Sequence, residues 1–150
     1  MALTNYPTAG LLHRLLAMAY DGLVLIGFCF MVYAVVISAI AGLMGTFPEM
    51  PVLGLAPVLS IFYSTIFLYY MHSWRRGGQT IGMKAWRLYL TTEDNSPVRL
   101  SHCILRSGAG FFSLGIVGLG FFWMLIDKRQ RTWHDIASVT RIVHKPKGVE

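Results

Sequence analysis

Three long stretches without a charged residue dominate this 150-residue chain. Residues 22–45, 52–74 and 107–126 contain no Asp, Glu, Lys or Arg, and the shortest of them has 20 residues. A helix of about 20 apolar residues crosses the roughly 30 Å hydrocarbon core of a bilayer. With 55% hydrophobic and 13% charged residues, the chain lacks the polar surface that would cover three such helices in water. The sequence therefore predicts an all-α integral membrane protein.

The apolar stretches divide one membrane domain, residues 1–150, into five segments. They are helix one at about 11–44, helix two at about 52–74, a cytoplasmic segment at 75–100, a third apolar segment at 101–126 and a basic tail at 127–150. The first apolar stretch exceeds the roughly 7–15 residues of a signal-peptide core, and Arg14 and Asp21 precede it. We therefore expect helix one to be retained.

The distribution of basic residues predicts the orientation in the membrane. Of the 13 Lys and Arg residues, Arg14 alone lies in the N-terminal flank, and the linker 45–51 contains none. The others lie in two blocks, 75–106 and 127–147. By the positive-inside rule, the N-terminus and segment 75–100 face the cytoplasm and the linker faces the outside. We expect a multi-pass protein of the bacterial cytoplasmic (inner) membrane, and we attribute the positive charge to topology rather than to nucleic-acid binding.

The third apolar stretch leaves two alternatives. Three full crossings would place the tail outside, although it is as basic as the middle segment. The stretch is rich in glycine, a poor helix former, and Gly115, Gly118 and Gly120 lie close together. It is therefore either a third glycine-rich membrane span or a re-entrant helical hairpin bent at these glycines, and we favour the hairpin.

Two short segments have the alternation of a β-strand. Polar and apolar residues alternate over 84–90 and again over 137–144, and residues 91–97 have the composition of a turn. Ser101 is the expected N-cap of the next helix. We predict that the two strands pair as a short cytoplasmic two-stranded β element, which would require a cytoplasmic tail.

Arg14 and Asp21 are the polar residues that an apolar helix tolerates least. Seven positions place them on nearly one helix face but about 10.5 Å apart along the axis, too far for a direct ion pair. An isolated carboxylate within a membrane costs about 2.5–3.5 kcal/mol. Asp21 is therefore expected to meet a cation from elsewhere in the chain or to be held protonated. A structural polar network is the favoured interpretation, and a proton, sodium or ligand site is the alternative.

The remaining polar residues indicate lipid contacts rather than chemistry. His134 and Asp135 are adjacent, but no nucleophile, phosphate-loop or zinc motif accompanies them, and the five His residues are scattered. We predict no catalytic residue, no metal and no cofactor. Candidate contacts to lipid headgroups are the basic residues next to the apolar stretches, Arg75, Arg76, Lys128, Arg129 and Arg131.

Small residues recur on helix one at every fourth position, Ala34, Ser38 and Gly42. Such a stripe permits close helix packing against helix two or against a second subunit. A homo-oligomer or a complex with another membrane protein is therefore an expected arrangement.

Several motifs occur in a characteristic order along the chain. Arg14 and Asp21 are followed by Gly78-Gln79-Thr80-Ile81-Gly82-Met83-Lys84, by Arg106 at the head of the last apolar stretch, and by Trp133-His134-Asp135. This combination resembles the RDD family over nearly the whole chain. The resemblance implies that Arg14, Asp21 and Asp135 are the arginine and two aspartates of the family name, with Arg106 in the same network, and it favours Asp135 over Asp127.

The expected function is that of a small oligomeric or accessory membrane scaffold without enzymatic activity. The resemblance to the RDD family adds an alternative, because ion or small-molecule transport is suggested for some members. Under that alternative the chain is an ion- or proton-coupled transport element that uses Asp21.

Overall fold

The computed structural model describes residues 3–116 and 118–146. Within these residues, six α-helices and two β-strands follow one another: α1 (Leu11–Met44), α2 (Leu55–Gly77), α3 (Ile81–Ala85), β1 (Leu88–Thr92), α4 (Leu100–Gly115), α5 (Leu119–Phe122), α6 (Trp133–Ala137) and β2 (Thr140–His144). Short 3-10 helices occupy Leu3–Asn5 and Trp123–Leu125. The chain forms two compact units: the first contains residues up to Asp21 and from Tyr70 onward, and the second contains Gly22–Tyr69.

Helices α1 and α2 are long and apolar enough to cross a membrane. Their most apolar windows have mean hydropathies of 2.7 and 1.3, and only 17% and 6% of the residues in them are buried. Core helices of soluble proteins bury their apolar side chains, so this exposure favours lipid as the surrounding solvent. Helix α2 begins and ends three residues later than predicted. Its end is set by Gly78, which has a φ of 65°, the left-handed conformation that ends helices.

Strands β1 and β2 form an antiparallel sheet in which Leu88 pairs with His144 and Thr92 with Thr140. Leu88, Leu90 and Val143 are buried in the core of the first unit. A stretch before α1 lies along the other side of β2, where Thr8 forms an isolated bridge with Val143. The backbone N–H of Ala9 also donates to the carbonyl of Ile142 at 2.9 Å.

Both predicted strands begin too early in the sequence. Residues 84–85 belong to helix α3, and residue 137 ends helix α6. In each case a threonine hydroxyl caps a five-residue helix: Thr80 accepts from the N–H of Met83, and Thr132 accepts from that of Asp135. Each helix is followed by a residue with a φ near 50°, after which the strand begins.

This helix–strand unit therefore occurs twice. Thr80, Ala85 and the left-handed Arg87 stand in the first copy where Thr132, Ala137 and the left-handed Val139 stand in the second, 52 positions later. The turn predicted at 91–97 is also shorter than expected, because residues 91 and 92 belong to β1. The predicted pairing of the two strands is confirmed.

The third apolar stretch is broken at its glycines. Helix α4 starts from Arg99 as its N-cap rather than Ser101, ends at Gly115 and has 16 residues, about 24 Å of helix. Gly118 then adopts a φ of 73° and precedes the four-residue α5. A continuous third membrane-crossing helix is therefore absent from the described part of the stretch. Residues 147–150 of the predicted basic tail lie outside the described residues.

Candidate functional site

The carboxylate of Asp135 bridges two arginines in the first unit. Nη1 of Arg14 lies 2.5 Å from its Oδ2, and Nη1 of Arg106 lies 2.6 Å from its Oδ1. All three residues are at most 4% exposed. The N-terminal turn of α6 fixes the carboxylate, because Oδ2 also accepts from the backbone N–H of Thr132 at 3.2 Å. An acidic residue from α6 thus joins a basic residue of α1 to one of α4.

Arg14 also holds backbone segments together. Its Nε donates to the carbonyl of Ala9 at 2.9 Å, and its Nη2 donates to that of Ile142 at 3.5 Å. These two carbonyls belong to the stretch before α1 and to β2, which lie side by side. One planar guanidinium therefore links α1 to α6 and to two extended segments through three separate nitrogen atoms. A lysine ammonium has a single nitrogen and could not reach all three partners.

Arg106 makes a different set of contacts. Its Nη1 also donates to Oγ1 of Thr140 at 2.9 Å, and its Cζ lies 5.4 Å from the ring centroid of Trp74. The Thr140 hydroxyl also lies 2.6 Å from that of Ser138. The hydrogen-bond network of Arg106 therefore extends to these two hydroxyl groups at the start of β2. The cation is thus satisfied by a carboxylate, a hydroxyl and an aromatic face.

Asp21 forms a second polar centre. Its Oδ2 accepts from the hydroxyl of Thr80 at 2.5 Å, and its Oδ1 accepts from the backbone N–H of Gly82 at 2.8 Å. The sequence predicts that Asp21 either meets a cation or is held protonated. The structure supplies two neutral donors from Thr80 and Gly82, which the sequence did not identify. Asp21 is 2% exposed. Its two hydrogen bonds extend the N-terminal cap of α3.

Helices α1 and α3 approach each other closely at Gly82. A Cβ atom at this position would overlap the carbonyl oxygen of Ala17 and lie 2.9 Å from Cγ of Asp21. Only glycine leaves room for the backbone to reach the carboxylate. Thr80 and Gly82 both lie within the Gly78–Lys84 motif. That motif is the sequence feature that could have indicated them as partners of Asp21.

The electrostatics of the first centre favour one protonation state. Burial raises the pKa of Asp135, but the guanidinium groups of Arg106 and Arg14 lower it by more than burial raises it. The pKa of this carboxyl therefore lies well below its ordinary range. Burial, together with Arg106, lowers the pKa of the neighbouring His134 to about 3. At neutral pH Asp135 is therefore ionised and His134 neutral. The ring of His134 packs against Phe121 at a centroid distance of 4.7 Å.

The predicted headgroup contacts differ in availability. Arg75, Arg76, Lys128 and Arg129 are exposed. Arg131 is instead engaged, since its Nε lies 3.1 Å from Oδ2 of Asp127 and its Nη1 lies 3.8 Å from Glu93. Asp127 is therefore the partner of a local ion pair and stands apart from the buried network. Across residues 3–116 and 118–146, no group of three or more His, Cys, Asp or Glu residues has metal-binding geometry.

The chain thus combines two long apolar helices with a buried Arg–Asp–Arg network, as expected of a membrane protein. The chain matches the RDD family over residues 8–139, nearly its whole length, and belongs to that family. No curated protein and no solved structure matches the chain. The family and the two long apolar helices together indicate a membrane protein.

Proposed function

We propose that this protein is a small, non-enzymatic scaffold or accessory subunit of the bacterial cytoplasmic membrane. The observation that carries the proposal is the bridge from Arg14 through Asp135 to Arg106, whose members are all buried and hydrogen-bonded. A fully paired network of this kind rigidifies a fold. The network would thereby fix the position of the cytoplasmic sheet relative to α4, α6 and the start of α1. Partners could then bind a surface whose shape does not change.

The surface of α1 supports association with a second chain. Ala34, Ser38 and Gly42 are all exposed, and a Cβ atom on Gly42 would meet no atom within 4 Å. The stripe is therefore open for close packing with another helix, either from a second copy or from a different membrane protein.

Replacement of Gly42 tests this association without disturbing the chain's own packing. We expect Gly42→Ile to reduce the oligomeric fraction of the purified protein, measured by light scattering in detergent and by crosslinking in cells. Gly22→Ile is the matched control, because a Cβ atom at Gly22 also meets no atom within 4 Å and Gly22 lies about 160° around α1 from Gly42. A wild-type chain that is monomeric in detergent and captures no partner in cells would contradict the scaffold proposal.

The third apolar stretch supports a re-entrant arrangement. Helix α4 is too short to cross the roughly 30 Å hydrocarbon core, and Phe111, Phe112, Phe122 and Ile126 are exposed apolar residues on both sides of the break. A segment that enters and leaves the same leaflet keeps the N-terminus, residues 75–100 and the tail in the cytoplasm, with linker 45–51 outside. The exposed cations Arg75, Arg76, Lys128 and Arg129 would then contact anionic headgroups, and no nucleic acid is involved.

Reporter fusions test that topology. A reporter active only in the cytoplasm should be active when fused after residue 146, and a reporter active only outside should be active when inserted in linker 45–51. Activity of the external reporter at the C-terminal position would contradict the re-entrant arrangement and leave the oligomer experiment unaffected.

A second candidate function is an ion- or proton-coupled transport element that uses Asp21. The observation that favours it is a carboxylate only 2% exposed on a helix whose most apolar window has a mean hydropathy of 2.7. Proteoliposomes with a pH or sodium gradient would measure the flux. Transport through Asp21 predicts a flux that Asp21→Asn abolishes and Asp127→Asn preserves; equal flux in both variants would argue against this role.

A further inference from the structure

Two histidines from opposite ends of the chain meet beside the buried network. The ring centroids of His13 and His144 are 5.2 Å apart, and the ring planes are inclined by 33°. Both side chains are half-buried. The ring of Trp86 contacts His13 edge-on at a centroid distance of 6.0 Å. The sequence gives no sign of this contact, because 131 positions separate the two histidines.

The backbone holds both imidazoles in rigid segments. His13 lies in the first turn of α1 directly before Arg14, which is bound to α6 and β2. His144 is paired with Leu88 in the sheet, and its backbone N–H donates to the carbonyl of Pro7 at 3.0 Å. The pair is therefore preorganised rather than brought together by flexible side chains.

The geometry points to a two-histidine site for a borderline divalent transition-metal ion such as Zn²⁺. With Zn–N bonds of about 2.0–2.1 Å, each imidazole centroid lies about 3.2 Å from the ion, so that two rings at a tetrahedral angle are about 5.2 Å apart. The observed separation matches this value. Imidazole nitrogen is also a preferred ligand for Zn²⁺, Ni²⁺ and Cu²⁺.

The protein supplies two ligands to this site, and water would complete the coordination. Since no group of three or more metal-binding residues occurs among residues 3–116 and 118–146, we expect a modest affinity. Bound metal would clamp the first turn of α1 to the end of β2. An ion that binds only the folded state raises its stability in proportion to the logarithm of its concentration above the Kd.

The test is a titration of the full-length chain in detergent micelles, with any histidine tag removed and the metal stripped by a chelator. ZnCl₂ added in a calorimeter should bind at one ion per chain. His13→Gln and His144→Gln should each weaken this binding by at least about tenfold, because each removes one of two protein ligands. His72→Gln and His102→Gln are matched controls and should change the affinity by less than about twofold.

Two further readouts separate a ligand from a structural residue. Cobalt(II) bound by the wild type should give a visible absorption band that is lost in either ligand variant. Saturating zinc should raise the Tm of the wild type and of His72→Gln, while leaving that of His144→Gln unchanged. In metal-free buffer, the variants should unfold at the wild-type temperature.

Two results would overturn the assignment. If the double variant His13→Gln/His144→Gln bound zinc with wild-type affinity, the ion would be an adventitious ion only. The same conclusion would follow if the wild type bound no zinc at the millimolar concentrations that a two-ligand site requires. Should one single variant fail to fold, the other carries the test, because removal of either ring breaks the proposed pair.

Discussion

Nη1 of Arg14 lies 2.5 Å from Oδ2 of Asp135, although 121 positions separate the two residues in the chain. The contact joins the start of a long apolar helix to a five-residue helix near the C-terminus. Because Asp135 is shared with Arg106, the loss of one carboxylate would leave two buried cations without their main partner. The stability of the first unit should therefore depend on this residue more than on any surface charge.

Asp135→Asn is expected to destabilise the fold by about 3–5 kcal/mol, since it leaves buried guanidinium groups uncompensated. The folded yield and the thermal unfolding midpoint in detergent measure this change. Asp127→Asn is the matched control, because Asp127 forms a local, half-buried pair with Arg131 outside the buried network, and its loss should change the midpoint little. Equal midpoints for the two variants would contradict a structural role for the network.

Gly82→Ala should destabilise the protein by about 1–3 kcal/mol, because the added methyl group has no space between Ala17 and Asp21. Gly108→Ala is the control within α4, where a Cβ atom would meet no atom within 4 Å. That change should raise stability by up to about 1 kcal/mol through helix propensity. Unfolding midpoints that shift in opposite directions would support the close approach, whereas a stable Gly82→Ala protein would refute it.

His134 should make the fold less stable in acid. Its pKa is lowered from 6.5 to about 3, so between these values the unfolded chain holds a proton that the folded chain lacks. Stability is therefore greatest above pH 6.5 and falls as the pH falls, by up to about 1.4 kcal/mol per pH unit. The shift at Asp135 acts in the same direction, but only below the ordinary carboxyl range.

Unfolding measured from pH 7.5 to pH 4.5 checks this slope. His134→Gln should flatten the profile, because glutamine takes up no proton. His102→Gln is the control and should retain the wild-type slope. A His134→Gln profile that matched the wild type would show that this imidazole does not control the acid sensitivity.

Gly118→Ala should cost about 1–2 kcal/mol, because Gly118 has a φ of 73° that residues with a Cβ atom adopt unfavourably. Gly115→Ala tests the same break without this strain, since a Cβ atom there also meets no atom within 4 Å. A lower midpoint for the first variant alone would confirm that backbone conformation, rather than space, requires glycine at 118.

Hydrophobicity and charge predicted the parts of the fold that depend on the solvent. The two long helices, the pairing of the short strands and the weakness at Gly115 and Gly118 follow from apolar length, alternation and glycine content. The spacing of Arg14 and Asp21 also indicated that each needs a separate partner. These inferences required only local sequence information.

The partners themselves could not be inferred in this way. The alternation over 84–90 suggested a strand, but the hydroxyl of Thr80 caps a helical turn that overrides it. The same occurs at Thr132. That Gly82 offers its N–H to Asp21 depends on a close approach of two helices, which no single position in the sequence encodes.

The separation of Arg14 and Asp135 also fixes an order of events during biosynthesis. At about 5–20 residues per second, the ribosome needs roughly ten seconds to travel from one codon to the other. Throughout that interval the guanidinium of Arg14 in the nascent chain must be solvated by water or paired with lipid phosphate. The buried network can therefore form only once Asp135 has been translated, which is later than the synthesis of both long apolar helices.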